Sequence, residues 1–99
     1  MIRITNHACD RRKRLGLSKD TFGRIAQKAF TEGVKHCDTV GSLNRYITSL
    51  YFKNKTANNV RVYNQYVWLF AEDLLITVYP LVNKYKKVVD KNKQLWYNQ

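Results

Sequence analysis

Acidic residues are the scarcest commodity in this chain: seven Asp and Glu stand against eighteen Lys and Arg, which leaves a formal net charge of +11 over 99 residues. The imbalance makes a polyanion the default partner. Nucleic acid comes first, an acidic protein surface second, and anionic lipid a distant third, because no strongly amphipathic basic helix is visible. The bland alternative is a charge that only confers solubility. The acids themselves, Asp10, Asp20, Glu32, Asp38, Glu72, Asp73 and Asp90, are scattered. They form no paired-carboxylate metal motif, and no glycine-rich loop offers a phosphate cradle. Ser, His and Asp are present, but nothing resembles a nucleophile elbow.

Other shortages narrow the class further. One proline and four glycines exclude a low-complexity linker, and 44% hydrophobic residues with 13% aromatics exclude a disordered chain. No stretch approaches the ~20 apolar residues of a membrane helix, and the opening MIRITNHACDRRKR has no signal core. A cytoplasmic protein with no membrane association is expected, folded as a single domain over 1–99. Cys9 and Cys37 lack CxxC spacing and read as free thiols of a reducing compartment. His7, Cys9, His36 and Cys37 nominally offer four zinc ligands, but HxC and adjacent HC are not the spacing of a structural site. Neither a metal nor another cofactor is expected.

What is present is periodicity. Residues 2–5 alternate as a short edge strand, and Asn6 then caps a helix over 6–15 that stops at Gly16. Ser18 caps a second helix, 18–32, in which Phe22, Ile25, Ala26, Ala29 and Phe30 make a buried stripe ending at Gly33. VKHCDTVG carries no period and reads as an exposed connection. A third helix, 42–53, has Leu43, Tyr46, Ile47, Leu50 and Tyr51 on one face. A β-meander follows over 60–79, and a basic tail or helix, 81–99, closes the chain. The fold class is α+β, with N-terminal helices packed on one face of an antiparallel three- to four-stranded meander.

The meander has two chemically different faces. Two-residue loops at Asn64-Gln65 and Glu72-Asp73 place Val62 opposite Val67 and Val67 opposite Val78, with Val60, Leu69 and Ile76 in the next row. That aliphatic side needs a cover, which the second and third helices can supply. The other side then carries Arg61, Trp68 and Thr77 in one row, Tyr63, Tyr66 and Tyr79 in the next, and Phe70 beside Leu75. Rings with polar handles and a guanidinium are not the usual make-up of a wet sheet face. This side is left for solvent and a ligand, for the C-terminal tail, or for a second subunit.

Two groups of residues carry candidate chemistry. His7, Arg11 and Arg14 share a helical face, and Arg11, Arg12, Lys13 and Arg14 together suit phosphate contact, although a charge run is as often a solvated face. Four consecutive cations also cost helix stability unless something offsets them. On the sheet, Arg61 suits stabilisation of a pentavalent phosphate, Tyr63, Tyr66 or Tyr79 can stack on a base or donate a hydrogen bond, and Trp68 can stack or support Arg61. Lys84, Lys86 and Lys87 extend the basic surface into the tail. The opposing reading is that these rings simply pack under the tail or in a dimer interface, where Tyr and Trp are enriched.

The opening HACDRRKRLGLS resembles the "HAxxR, R, G, hydrophobic, S" start of small bacterial and phage families grouped near the RelE/ParE-like toxin superfamily. The order of helices and meander, with Arg and Tyr on the free face, resembles that superfamily too, and LLITVYPL is similar to its terminal strand. The resemblance implies a RelE-like fold, with His7, Arg11, Arg61 and Tyr79 in polar or catalytic positions. RelE-like members cleave RNA, often at the ribosome, and ParE-like members inhibit gyrase. The segment from Val34 to Asn59 is long for that family, and a C-terminal Arg/Lys/Tyr trio of toxin type is lacking. Two expectations follow. One is a nucleic-acid-directed protein, RNA favoured, acting as a metal-independent endoribonuclease with Arg61, Tyr79 and His7 as catalytic groups and with an antitoxin or a second copy as protein partner. The other is a non-enzymatic phage or mobile-element protein that binds and inhibits a nucleic-acid-handling machine, in the manner of anti-CRISPR or gyrase-directed inhibitors.

Overall fold

A computed structural model describes residues 2–81. The expected tail, including Lys84, Lys86 and Lys87, therefore lies outside the described residues apart from Leu81. The elements run β1 (Arg3–Ile4), α1 (Asn6–Leu15), α2 (Lys19–Glu32), β2 (Val34–Lys35), a 3₁₀ turn (His36–Asp38), α3 (Gly41–Lys53), β3 (Asn59–Tyr63), β4 (Tyr66–Ala71) and β5 (Leu74–Pro80). The strands form one five-stranded mixed sheet in the order β1-β5-β4-β3-β2. β1 runs parallel to β5, and the other pairings are antiparallel.

Local chemistry accounts for the helix boundaries. α1 is capped by Thr5 rather than Asn6: the Thr5 hydroxyl accepts from Ala8 N at 3.1 Å. Gly16 ends it in the left-handed region at φ 73, its amide reaching back to the carbonyls of Arg12 and Lys13. Arg12, Lys13 and Arg14 occupy the last turn, where the negative end of the helix dipole offsets part of their mutual repulsion. Ser18 caps α2 by accepting from Thr21 N at 3.2 Å, with Asp20 in the favourable first turn.

The core has two halves, one on each side of the sheet. On one side, Leu43, Ile47 and Leu50 of α3 cover Val60, Val62, Val67 and Leu69, with Val34 and Leu81 at the margins. On the other, Ala8 of α1 and Phe22, Ala26 and Ala29 of α2 cover Trp68, Phe70, Leu75 and Val78. This corrects the expected arrangement of the second and third helices on a common face. α2 instead joins α1 on the aromatic side, which is interior: Trp68 and Phe70 have 0% exposure. Phe22 lies 5.5 Å from Trp68 and Phe30 5.2 Å from Phe70, centroid to centroid. A ring of indole size contributes more by burial than any single aliphatic residue, so the α2 stripe docks on rings in preference to the valine rows.

The first hairpin has the expected register, with Val60 opposite Leu69, Val62 opposite Val67 and Arg61 opposite Trp68. The second does not. Phe70 faces Leu75, but beyond a bulge Leu69 faces Thr77, Trp68 faces Val78 and Val67 faces Tyr79. A single extra residue on one strand moves every later side chain to the other face. Val78 thus joins Trp68 under the helices α1 and α2, while Tyr79 turns toward α3. The cause lies at the other end of the chain. Thr5 donates its hydroxyl proton to Ile76 O at 2.9 Å, supplying the bulged carbonyl with a partner that β4 does not provide.

Candidate functional site

Gly33 is where the site begins. It ends α2 with an extended backbone, and an added Cβ would meet Ala29 O at 2.5 Å and Arg61 Cβ at 2.9 Å. Only glycine lets α2 come this close to β3. The chain then pairs with β3 along the sheet edge, Val34 opposite Val62 and Lys35 opposite Arg61. Val34 and Lys35, read as part of an exposed connection, are therefore an edge strand, too short at two residues for any period to show.

Arg61 is held from two sides. Its Nη1 donates to Gly33 O at 2.8 Å and its Nε to Asn59 Oδ1 at 2.9 Å. Lys35 stands directly across the ladder and is exposed. Like charges facing one another across two strands are destabilising unless something lies between or above them. Here the lining of the surrounding open groove, about 490 Å³, contains no carboxylate: beside the two cations are His36, Cys37 and the amides of Asn44, Asn58 and Asn59. Glu72 and Asp73 border a neighbouring depression, which shares only Asn58 and Asn59 with the groove.

His36 is fixed by α3. Its Nε2 lies 2.9 Å from Thr48 Oγ1, and that hydroxyl donates to Asn44 O at 2.8 Å. A hydroxyl has one proton, and a carbonyl can only accept. Both contacts are satisfied together only when Nε2 carries the proton given to Thr48, which leaves Nδ1 with its lone pair. Asn44 and Thr39 bind the His36 carbonyl at 3.3 and 2.7 Å and so hold the 3₁₀ turn in place. Burial of the imidazole holds its pKa below the ordinary histidine value. At neutral pH the ring is uncharged. Cys37 is exposed and Cys9 half-buried, and both are free thiols.

The other residues singled out in the sequence are dispersed. Arg61 and Tyr79 stand on β3 and β5 with β4 between them, and on opposite faces of the sheet. Tyr79 packs with the aliphatic cluster, and its hydroxyl accepts from Asn54 Nδ2 at 3.1 Å. The structure does bring Arg11 and Tyr79 together: β1 pairs only with Leu74 and Leu75, so α1 runs along the remainder of β5, and the Arg11 guanidinium lies 5.1 Å from the Tyr79 ring centroid. Arg12 donates to Leu17 O at 2.8 Å and closes the turn after α1. His7, Lys13 and Arg14 are exposed. Tyr63 and Tyr66 are half-buried at the margin of the aromatic cluster, and Tyr63 O accepts from Trp68 Nε1 at 2.9 Å.

Lys35 escaped the sequence reading, and His36 entered it only as a nominal zinc ligand. The available signal was the alternation of Val34 and Lys35 directly after a helix-ending glycine, which suits a strand but is too short to separate from a loop. Charge pairing elsewhere is sparse. Arg3–Asp73, 2.9 Å, is the one salt bridge among the described residues. Hydrogen bonding from Arg3 holds the Asp73 carboxyl below its ordinary pKa, so the pair stays ionised at neutral pH and pins β1 to the sheet. No helix among the described residues is long and apolar enough to cross a membrane. No family model, curated protein or solved structure matches the chain.

Proposed function

We propose that this chain is a nucleic-acid-directed basic protein that grips a phosphodiester backbone in the groove between Lys35 and Arg61. One observation carries the reading: two cations face each other across a sheet edge, with no carboxylate lining the groove they share. A phosphate group between them offsets the repulsion. Arg61, already oriented by Gly33 and Asn59, binds with little further loss of side-chain freedom, and Lys35 contributes a mobile point charge. The net charge of +11 supplies the longer-range attraction that brings a polyanion to the groove. RNA is the favoured polymer on the resemblance to RelE-like proteins, and that kinship forms part of the reading.

Fluorescence anisotropy with single-stranded RNA and duplex DNA, titrated over a range of salt, tests it. Lys35→Glu is expected to weaken RNA binding about tenfold, and Lys35→Ala to reduce the slope of log K against log salt by about 0.7. Binding indifferent to both salt and Lys35 would sink the proposal.

A second reading has its own observation. Phe52 is 62% exposed on α3, beside Lys53 and close to Lys55, a combination suited to an acidic protein surface with an apolar pocket. On this reading the chain docks on and inhibits a nucleic-acid-handling protein complex. A defined protein retained after nuclease treatment of a pull-down, and lost with Phe52→Ala, would favour it over the first.

A further inference from the structure

We propose that Arg11, Arg14 and Tyr79 form a second phosphate-binding site at the opposite edge of the sheet from the Lys35–Arg61 groove, and that the chain joins two double-helical nucleic-acid segments, one held at each edge. This rests on the nucleic-acid reading of the groove and adds a bridging role to it.

The second site is built by α1 and β5. Arg11 packs its guanidinium over the Tyr79 ring, 5.1 Å from the centroid, which fixes the plane of the fork and turns its outer nitrogens toward a ligand. Its Nε is buried without an acceptor among the described residues. The Tyr79 hydroxyl accepts from Asn54 Nδ2 at 3.1 Å, and its own proton is left to be given. Arg14 follows Arg11 by one helical turn and His7 precedes it by one, and both are exposed. From His7 to Arg14 the ridge runs ~10 Å along the helix axis, the length taken by about three phosphates of one strand of a duplex. Asp10, the acid of α1, forms no salt bridge with these cations among the described residues. Their mutual repulsion is removed by a phosphate strand laid along them.

Position keeps the two sites apart. In the strand order β1-β5-β4-β3-β2, three intervals separate the strand of Tyr79 from that of Lys35, ~14 Å at the usual spacing. The faces differ as well. Arg61 alternates with Val60 and Val62, which lie under α3, and reaches Gly33 O on the other side, whereas Tyr79 packs toward α3. The sites therefore look out from opposite edges and opposite faces of one sheet. A double helix is too stiff to turn from one to the other, with a persistence length of ~150 base pairs for DNA, so a duplex seated at one site leaves the other open to a second duplex. Duplex suits this surface better than single strand, because the sheet rings that could stack unpaired bases, Trp68 and Phe70, have 0% exposure. The groove fills first, since Arg61 is held there by two bonds and faces a second cation across the ladder. The α1 ridge takes the second duplex, through phosphates and without regard to sequence.

The test uses the full chain with two short RNA duplexes of one sequence, one biotinylated and held on beads, the other fluorescent. Expected is retention of the fluorescent duplex that depends on the protein and falls with salt, and two duplexes per chain at saturation in analytical ultracentrifugation. Arg11→Gln combined with Arg14→Gln should cut retention about tenfold or more while affinity for a first duplex, read by anisotropy, stays within about twofold, since Lys35 and Arg61 hold it. Arg14→Glu, an exposed change that leaves Arg11 on Tyr79, should split the two readouts in the same direction, and circular dichroism on both variants guards against a folding defect. Lys35→Glu should also lower retention, and mixing it with the Arg11/Arg14 variant should not restore it. A first duplex bound without retention of a second, binding of single strands alone, full retention in the folded Arg11/Arg14 variant, or recovery in the mixture, which would put the two sites on two copies, would each overturn the proposal and leave the binding reading standing. Failure to bind RNA in either form would remove both.

Discussion

The two hairpins of this sheet start from nearly the same instructions and end differently. Both have two-residue loops between alternating strands, Asn64-Gln65 in one and Glu72-Asp73 in the other. The first has positive φ at both loop residues, 50 and 67, and runs in unbroken register from Tyr63–Tyr66 to Asn59–Phe70. The second has positive φ at Glu72 alone and slips by one residue after Phe70–Leu75. Loop length sets the pairing next to the turn, but what lies alongside the strand decides whether that pairing continues. β3 has β2 beside it only at Arg61 and Val62, and the Trp68 indole reaches the carbonyl of Tyr63 at the end of the strand without shifting its register. β5 is flanked by β1 and then by the start of α1, and Thr5 takes the carbonyl of Ile76 out of the ladder.

Breaking both hairpins at once should have the largest effect. Trp68 pairs with Arg61 on one side and Val78 on the other and is fully buried under Phe22. Trp68→Ala is expected to cost about 3–5 kcal/mol in chemical denaturation. A loss below about 1 kcal/mol would mean that the aromatic side is not the main core. Thr5→Val separates the hairpins: it removes the cap of α1 and orphans Ile76 O, for a combined loss of about 2 kcal/mol. Amide exchange should accelerate at Ile76–Tyr79 and stay unchanged at Val60 and Val62. Equal acceleration in both strands would contradict the assignment of the bulge to Thr5.

Smaller changes sharpen the same contrast. The bulge turns Thr77 toward the α3 side, where its hydroxyl is buried without a hydrogen-bond partner among the described residues. Thr77→Val should therefore stabilise the protein by about 1 kcal/mol, read as a higher denaturation midpoint at unchanged slope. In an unbulged strand this hydroxyl would face the other helices and the gain would have no basis. The smallest effect is expected at the turn of the regular hairpin. Gln65 holds φ 67, a conformation glycine adopts without penalty, so Gln65→Gly should add about 0.5–1 kcal/mol. A loss would show that the Gln65 side chain, rather than its backbone, matters to the turn.

Much of the framework was legible because it rests on local signals. Ser18 and Gly16 announce the boundary between α1 and α2, and the stripe of Phe22, Ala26 and Ala29 marks a face that must be covered. The first hairpin followed from period-two alternation around Asn64-Gln65. The face that each helix covers was not legible. Phe22 and Leu43 are both apolar at helical spacing, and nothing in either segment says that one meets indole and the other valine. The site was only half legible. Arg61 stood out as a cation among rings, whereas Lys35 and His36 sat in a segment with too few residues for a pattern and acquire their neighbours only when Gly33 admits α2 to the edge of β3.

By itself, then, the amino-acid order determined where the chain turns, which residues alternate and how large a positive charge the folded protein carries, because caps, loop torsions and ionisation depend on near neighbours. Only the tertiary structure decided the rest. It buried the aromatic side of the sheet under α1 and α2, moved Tyr79 away from Arg61 through a bulge held by a threonine 71 positions earlier in the chain, and gathered Lys35, His36 and Arg61 around one groove. Those outcomes depend on long-range pairing, where the competition between alternative partners is settled by what packs best and by which carbonyls find a donor.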